Sequence, residues 1–213
     1  MRNVSFSVKS IIRALIGGEW KKIAFYANAK LRGVDLDTAP LEAIGLSDER
    51  SLFYVNSGGP NLERILNTLL ITGSDAAIDL GCGKGGAMLS LAKYPFSRVD
   101  GVELSKQLIA IANENFRRMG VRNCTIYHCD AADFQDLDPY TLAYMFHPFP
   151  EIVTKAVLEN ICQSMRRRPR RFRIVYQNPI SHDVIVNSGF QKVAAFGGAH
   201  HETYVYMRDT VSS

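Results

Sequence analysis

Three carboxylates and a run of glycines are the residues in this chain whose types and spacing could do chemistry together. Asp79, Glu103 and Asp130 each stand at or just beyond the end of a short apolar run, and Gly81-Cys82-Gly83-Lys84-Gly85-Gly86 follows the first of them. Glycines are needed where the backbone must turn sharply and let a ligand lie against it. Gly81-x-Gly83-x-x-Gly86 formally satisfies the dinucleotide fingerprint, with Glu103 placed 22 residues after Gly81, where an acid could hold a ribose. A nucleoside ligand is expected. Asp79 separates the candidates, because a pyrophosphate on the following helix N-terminus would meet this carboxylate at short range. S-adenosylmethionine, which carries an ammonium and a sulfonium beside its ribose and adenine, would be attracted instead. On this reading Asp79 takes the amino-acid portion, Glu103 the ribose hydroxyls and Asp130 the adenine amino group.

These residues need a scaffold, and the pattern around them supplies one. Leu62, Ile65, Leu66, Leu69 and Leu70 recur at helical spacing before a stop at Thr72-Gly73-Ser74-Asp75. A strand over 76–80, the glycine turn and a helix over 87–93 follow. The alternation continues with strands over 98–103, 125–129, 142–146, 172–177, 190–196 and 203–208, and with helices over 106–119, 151–165 and around 184–187. Strands alternating with helices imply a mainly parallel sheet covered on both faces. The final pair is close enough to be a hairpin, which puts an antiparallel strand into that sheet.

The stretch Ile78-Asp79-Leu80-Gly81-Cys82-Gly83-Lys84-Gly85, with Gly101-Val102-Glu103-Leu104-Ser105 and Cys129-Asp130-Ala131-Ala132-Asp133, resembles motifs of the class I S-adenosylmethionine-dependent methyltransferases. The resemblance covers about residues 61–208. It implies an α/β fold, a three-layer Rossmann-like sheet of seven mainly parallel strands with the last antiparallel. It also implies S-adenosylmethionine held by Asp79, Gly81, Cys82, Gly83, Lys84, Gly85, Glu103, Leu104, Asp130, Ala131 and Phe146. A narrower similarity, carried by Tyr54-x-x-Ser57-Gly58 ahead of a helix, is to the non-SET, seven-stranded histone-lysine methyltransferases and related bacterial proteins. There the loop before the first helix closes over the cofactor, which implies Tyr54 and Ser57 against it. The alternative for these two is a packed aromatic and a plain turn.

Phe146-His147-Pro148-Phe149-Pro150 follows the fourth strand. Amino-methylating members of the family often carry Asn or Asp there, then two prolines and an aromatic. His147 stands in the place of the Asn or Asp and only one proline precedes Phe149, so two roles stay open for it: a general base, having a side-chain pKa near neutrality, or a residue that shapes the turn. An acceptor lysine or small-molecule amine must arrive neutral, which desolvation in an aromatic pocket built from Tyr54, Phe146 or Phe149 would favour.

Composition bounds the remaining choices. The 213 residues are 46% hydrophobic and 22% charged, enough for one globular domain with an appendage. No apolar run reaches spanning length, since Arg13 and Glu19 cut the early one. Four cysteines without a CxxC pair read as reduced thiols of a cytoplasmic protein. A metal is not expected, because Cys124, His128, Cys129 and Asp130 alternate in direction along a strand. Residues 1–33 hold seven bases against the single acid Glu19 (+6), whereas the other 180 residues hold 18 bases against 20 acids (−2). The chain therefore divides into a basic amphipathic helical arm (1–33), a loop-rich connection closing over the cofactor (34–60) and a methyltransferase domain (61–213). Trp20, Ile23 and Phe25 are expected on one face of the arm's second helix, after a first helix carrying Ile11, Ile12, Leu15 and Ile16. A peripheral membrane contact through the arm is compatible with this charge, and a nucleic-acid partner is disfavoured by the neutral body. The Arg166–Arg173 run reads as a solvated patch at the N-terminal edge of the sheet. Two rivals to methyl transfer are a nicotinamide-dependent oxidoreductase and an inactive nucleoside-binding interaction protein.

Overall fold

The structure, a computed structural model, describes residues 20–38, 56–146, 149–197 and 202–209. Tyr54, His147, the 11–16 segment and His200-His201 lie outside these residues. Seven strands form one sheet: β1 (Ala76–Leu80), β2 (Arg98–Glu103), β3 (Cys124–His128), β4 (Leu142–Phe146), β5 (Phe172–Gln177), β6 (Gln191–Phe196) and β7 (Thr203–Arg208). Their order is β3-β2-β1-β4-β5-β7-β6. The pairs from β3 through β5 are parallel, while β7 runs antiparallel to both β5 and β6, as expected of the last strand. The helices are α1 (Trp20–Leu31), α2 (Pro60–Leu66), α3 (Gly86–Leu91), α4 (Lys106–Met119), α5 (Glu151–Arg167) and α6 (His182–Asn187).

Two cores flank the sheet. On one face Ile78, Leu80, Ala143, Met145 and Ile174 pack with Val157, Leu158 and Ile161 of α5. On the other, Ala77, Leu142, Tyr144 and Val175 pack with Leu62, Leu66, Met88, Leu91 and Phe116 from α2, α3 and α4. All five residues of β1 are buried, which is what a central parallel strand covered on both sides requires. Strand order reverses between β1 and β4, and at such a reversal a crevice opens beyond the carboxyl ends of the strands.

Three expectations change on meeting the structure. The helix over 62–70 ends at Leu66, and Leu70 is 87% exposed with a positive φ of 47°. The segment is drawn out of the helix because Arg173 donates to the Leu69 carbonyl (2.7 Å) while pairing with Asp75. Trp20 is exposed, whereas Ile23 and Phe25 are half-buried and Ala29, on the far side of the helix, is buried. The arginine run is only in part a solvated patch: Arg166, Arg167, Arg168 and Arg171 are exposed, whereas Arg170 and Arg173 are drawn into the fold as a brace. Half-buried Arg170 donates to the carbonyls of Tyr140 (2.6 Å), Leu137 (2.8 Å), Arg168 (2.8 Å) and Ser164 (3.2 Å) and to Ser164 Oγ (2.9 Å), tying α5 and the start of β5 to the turn before β4. Arg167 pairs with Asp138 and Arg171 with Asp209. Burial pulls the Arg170 pKa down, opposed by the Asp138 carboxylate and helped by the neighbouring Arg168 and Arg167. Arg170→Met keeps the aliphatic stem and strands these acceptors, so unfolding in urea should show a loss of about 2–4 kcal/mol. A loss under about 0.5 kcal/mol, the size of an ordinary surface change, would return the residue to the solvated class.

Candidate functional site

The site begins on β1. Asp79 is 3% exposed, and no hydrogen-bond donor reaches its carboxylate among the described residues. Burial, and then the neighbouring Glu103, hold its carboxyl well above the usual carboxylate range. Asp79 is in register with Tyr144 of β4, directly across the crevice where strand order reverses. The Tyr144 hydroxyl donates to Gln177 Oε1 (2.9 Å) at the end of β5 and lies close to Ser57. Burial pushes this phenol up.

The glycine turn follows β1 directly. The N–H groups of Gly81 and Cys82 both donate to the Val102 carbonyl (2.9 and 3.0 Å), Gly85 N–H donates to Cys82 O (2.8 Å), and Gly83 N–H donates to Glu103 Oε2 (2.8 Å). Gly81, Gly83 and Gly85 have φ of 85°, 54° and 78°, the left-handed region that side chains disfavour. A Cβ on Gly85 would also come within 2.6 Å of the Phe116 ring. Glu103 is buried and accepts from Ser105 N–H at its other oxygen (2.8 Å). Burial raises its pKa, opposed by the backbone N–H groups of Ser105, Gly83 and Leu104 and by His128. Each carboxylate oxygen can accept two hydrogen bonds, so acceptor capacity remains beyond these backbone contacts.

Beyond β3, Asp130 accepts the Ala132 N–H (2.9 Å) and starts the turn that buries Ala131. Leu104 is half-buried at the end of β2. The structure therefore sets Asp79, Glu103 and Asp130 along the carboxyl ends of β1, β2 and β3. Cys82 is buried, its thiol pushed up first by burial and then by Asp79 and Glu103, which disfavours the thiolate form. All four cysteines are free thiols. Among the described residues no group of three or more His, Cys, Asp or Glu side chains could hold a metal.

Lys84 behaves differently from the rest of the turn. Its ammonium reaches Asp35 Oδ1 (2.7 Å) and the Asp37 carbonyl (2.8 Å). Asn115 of α4 closes the link, accepting Asp35 N–H (2.9 Å) and donating to the carbonyls of Asp35 (2.8 Å) and Lys84 (3.0 Å). Residues 34–37 are thus bonded to the turn. The 56–59 segment closes over the start of α3: Gly59 N–H donates to Ser90 Oγ (2.7 Å), and Asn56 donates to Tyr26 Oη (3.0 Å). A Cβ on Gly58 would lie 2.0 Å from the Gly86 carbonyl oxygen, so this approach requires glycine. Phe146 packs with the core beneath α2–α4, and Phe149 is buried in the core of the opposite face, so the two do not build one pocket together.

Tyr144, Gln177 and Asn56 are the residues that sequence reasoning missed. Alternation along β4 could have placed Tyr144 on the side of Phe146, but only the β1–β4 register sets it beside Asp79.

A family model described as a methyltransferase domain matches residues 77–170, from β1 to the arginine brace. A solved S-adenosylmethionine-dependent methyltransferase from Aquifex aeolicus superposes on 69% of this chain and 89% of its own, with a TM-score of 0.57 at 12% identity. This chain has the class I, Rossmann-like methyltransferase fold. An RNA methyltransferase from Salinibacter ruber, solved in complex with S-adenosylhomocysteine, shares the methyltransferase fold over 68% of this chain and 88% of its own (TM-score 0.52, 14% identity). In sequence, an uncharacterized RNA methyltransferase of Geobacter sulfurreducens is 36% identical over 86 residues, 39% of this chain and 17% of that protein. A 23S rRNA uracil methyltransferase of Colwellia psychrerythraea is 33% identical over 85 residues, 40% of this chain and 18% of that protein. The methyltransferase-fold chain thus spans less than a fifth of the length of these curated relatives.

Proposed function

We propose that the protein binds S-adenosylmethionine in the crevice beside β1 and transfers its methyl group to a protein lysine or a small-molecule amine. The observation that carries this reading is the buried Asp79 carboxylate, which no hydrogen-bond donor reaches among the described residues. Such a group calls for a cation, and the ammonium of the cofactor's amino-acid portion is one. Glu103 keeps acceptor capacity for a ribose hydroxyl, and Asp130, followed by buried Ala131, suits the adenine. The nicotinamide alternative is disfavoured because the N–H groups of Gly81, Cys82, Gly83 and Gly85 are already spent on protein acceptors rather than offered to a pyrophosphate.

S-adenosylmethionine supplies the activated methyl group, so the chain's own task is to position the acceptor and exclude water. The Tyr144–Gln177 hydrogen bond stands beside Asp79, and the 56–59 segment, held by the Gly59 and Asn56 bonds, supports a cover over the crevice. His147 and Tyr54 enter as proposed acceptor-side residues, His147 following β4 directly in sequence. If His147 only shapes its turn, His147→Asn keeps turnover; if it takes the acceptor's proton, the variant loses about 10²- to 10⁴-fold with cofactor affinity intact.

A second reading, an RNA acceptor, is favoured by the names of the sequence relatives. One experiment separates them: the purified protein is incubated with methyl-labelled S-adenosylmethionine and fractionated lysate. Label in protein lysines or small amines supports the proposal, and label in RNA supports the second reading. Cofactor binding without transfer to any fraction points to the inactive binding protein and overturns both.

A further inference from the structure

Helix α1 turns the wrong side outwards for a soluble surface. Trp20, Ala24, Ala27 and Leu31 are spaced by four, three and four residues, which places them in one line along the helix. All four are exposed, Trp20 by 53% and Leu31 by 88%. The opposite side is the one that packs: Ala29 is buried, Phe25 lies against Gly59 and beneath Lys93, and Tyr26 accepts from Asn56. The apolar line is therefore left over after α1 has satisfied its contacts with the domain. Lys21 borders it on one side, its ammonium 5.7 Å from the centre of the Trp20 ring, and Lys30 borders it on the other. Lys22 and Arg32 add to this charge, and no acid occurs between residues 20 and 34.

We propose that this face of α1 is an interfacial docking surface that seats the protein on an anionic lipid membrane. A narrow apolar stripe flanked by lysines is the pattern that lies in the headgroup plane, with the stripe against the acyl boundary and the lysine stems reaching up to the phosphates. Charge complementarity fixes which surface: residues 1–33 carry +6 and the remainder of the chain −2, so the arm is the part an anionic bilayer attracts. The stripe argues for lipid over nucleic acid, because Ala24, Ala27 and Leu31 neither stack on bases nor hydrogen-bond to them, and Trp20 is the sole aromatic on the line. Nothing spans: no helix among the described residues is long and apolar enough to cross a membrane. The surface is independent of the methyl-transfer reading, since Leu31 touches none of the acids of the crevice.

Trp20 is the only tryptophan of the chain, so its fluorescence reads this face alone. The full chain is titrated with vesicles of 7:3 phosphatidylcholine to phosphatidylglycerol and with pure phosphatidylcholine vesicles. The expected result is a blue-shifted emission and co-sedimentation with the anionic vesicles only, weakened by 0.5 M salt. Leu31→Glu, a change at an exposed position that the fold tolerates, should weaken this binding at least about tenfold, since one buried leucine is worth more than 1.4 kcal/mol. The same variant should keep the wild-type affinity for S-adenosylmethionine or, if there is none, the wild-type melting temperature. Four results would overturn the proposal. They are no response to anionic vesicles, a Trp20 already shielded from acrylamide in buffer, a dimer that Leu31→Glu dissolves, and a blue shift produced by polyuridylate but not by vesicles.

Discussion

Asp79→Asn is expected to raise the melting temperature of the free protein and to remove most of its affinity for S-adenosylmethionine. The two effects have one origin. In the free protein the carboxylate is buried beside Glu103 with no donor among the described residues, so replacing it with a neutral amide of the same shape relieves a desolvated charge. In the complex the same charge meets the ligand ammonium, and its loss should weaken binding by about 1.5–3 kcal/mol, about 10- to 150-fold. The pH dependence has a definite sign. A carboxyl whose folded pKa is raised contributes stability that is complete below its unfolded value of 3.8 and is lost as pH rises through the folded value. Melting temperatures of the wild type should therefore fall relative to those of Asp79→Asn as pH increases above about 4. Calorimetry and thermal melts at several pH values check both halves. Unchanged affinity in a folded variant would remove Asp79 from the binding site.

Gly58→Ala should be the most damaging single-methyl change near the crevice. The added Cβ would stand 2.0 Å from the Gly86 carbonyl oxygen and 2.4 Å from its carbon, both backbone atoms that cannot rotate away. The 56–59 segment has to lift, breaking the Gly59 N–H bond to Ser90 and the contact of Ser57 with Tyr144. Overpacking of this kind costs about 1–3 kcal/mol, and cofactor affinity should fall by about tenfold or more as the cover over α3 is lost. Gly197→Ala is the control, since nothing lies within 4 Å of its Cβ position. Equal melting temperatures and affinities for the two variants would show that the segment is not a cover.

The alternation of strands and helices was legible because each element announces itself locally, through apolar runs such as Ala76–Leu80 and glycines that break them. The acids at the strand ends were legible for the same reason, as each directly follows or closes such a run. What could not be read are pairings across long stretches of chain. Nothing local to Lys84 tells that its ammonium meets Asp35, 49 residues earlier. Arg170 looks like surface charge because its partners are carbonyls, which every residue type carries and none advertises. Leu69 and Leu70 keep the helical period, yet Arg173 draws the Leu69 carbonyl out of the helix. Local spacing describes what a segment can be, and only the assembled sheet decides which of its atoms are taken.

The neighbouring placement of β1 and β4 also bears on how the protein reaches its native state. Asp79 and Tyr144 are in register although about 65 residues separate them, and α3, β2, α4 and β3 must be accommodated in between. Closing a loop of that length is entropically uphill before any contact repays it, so the joining of these two strands is expected late in folding. The first three strands can associate as a unit from nearby chain, and so can the last three. A crevice bounded by both exists only once they have met. Any ligand that needs both walls is then a selective stabiliser of the finished fold, and its concentration in the cell sets how large a fraction of newly made chains stays joined.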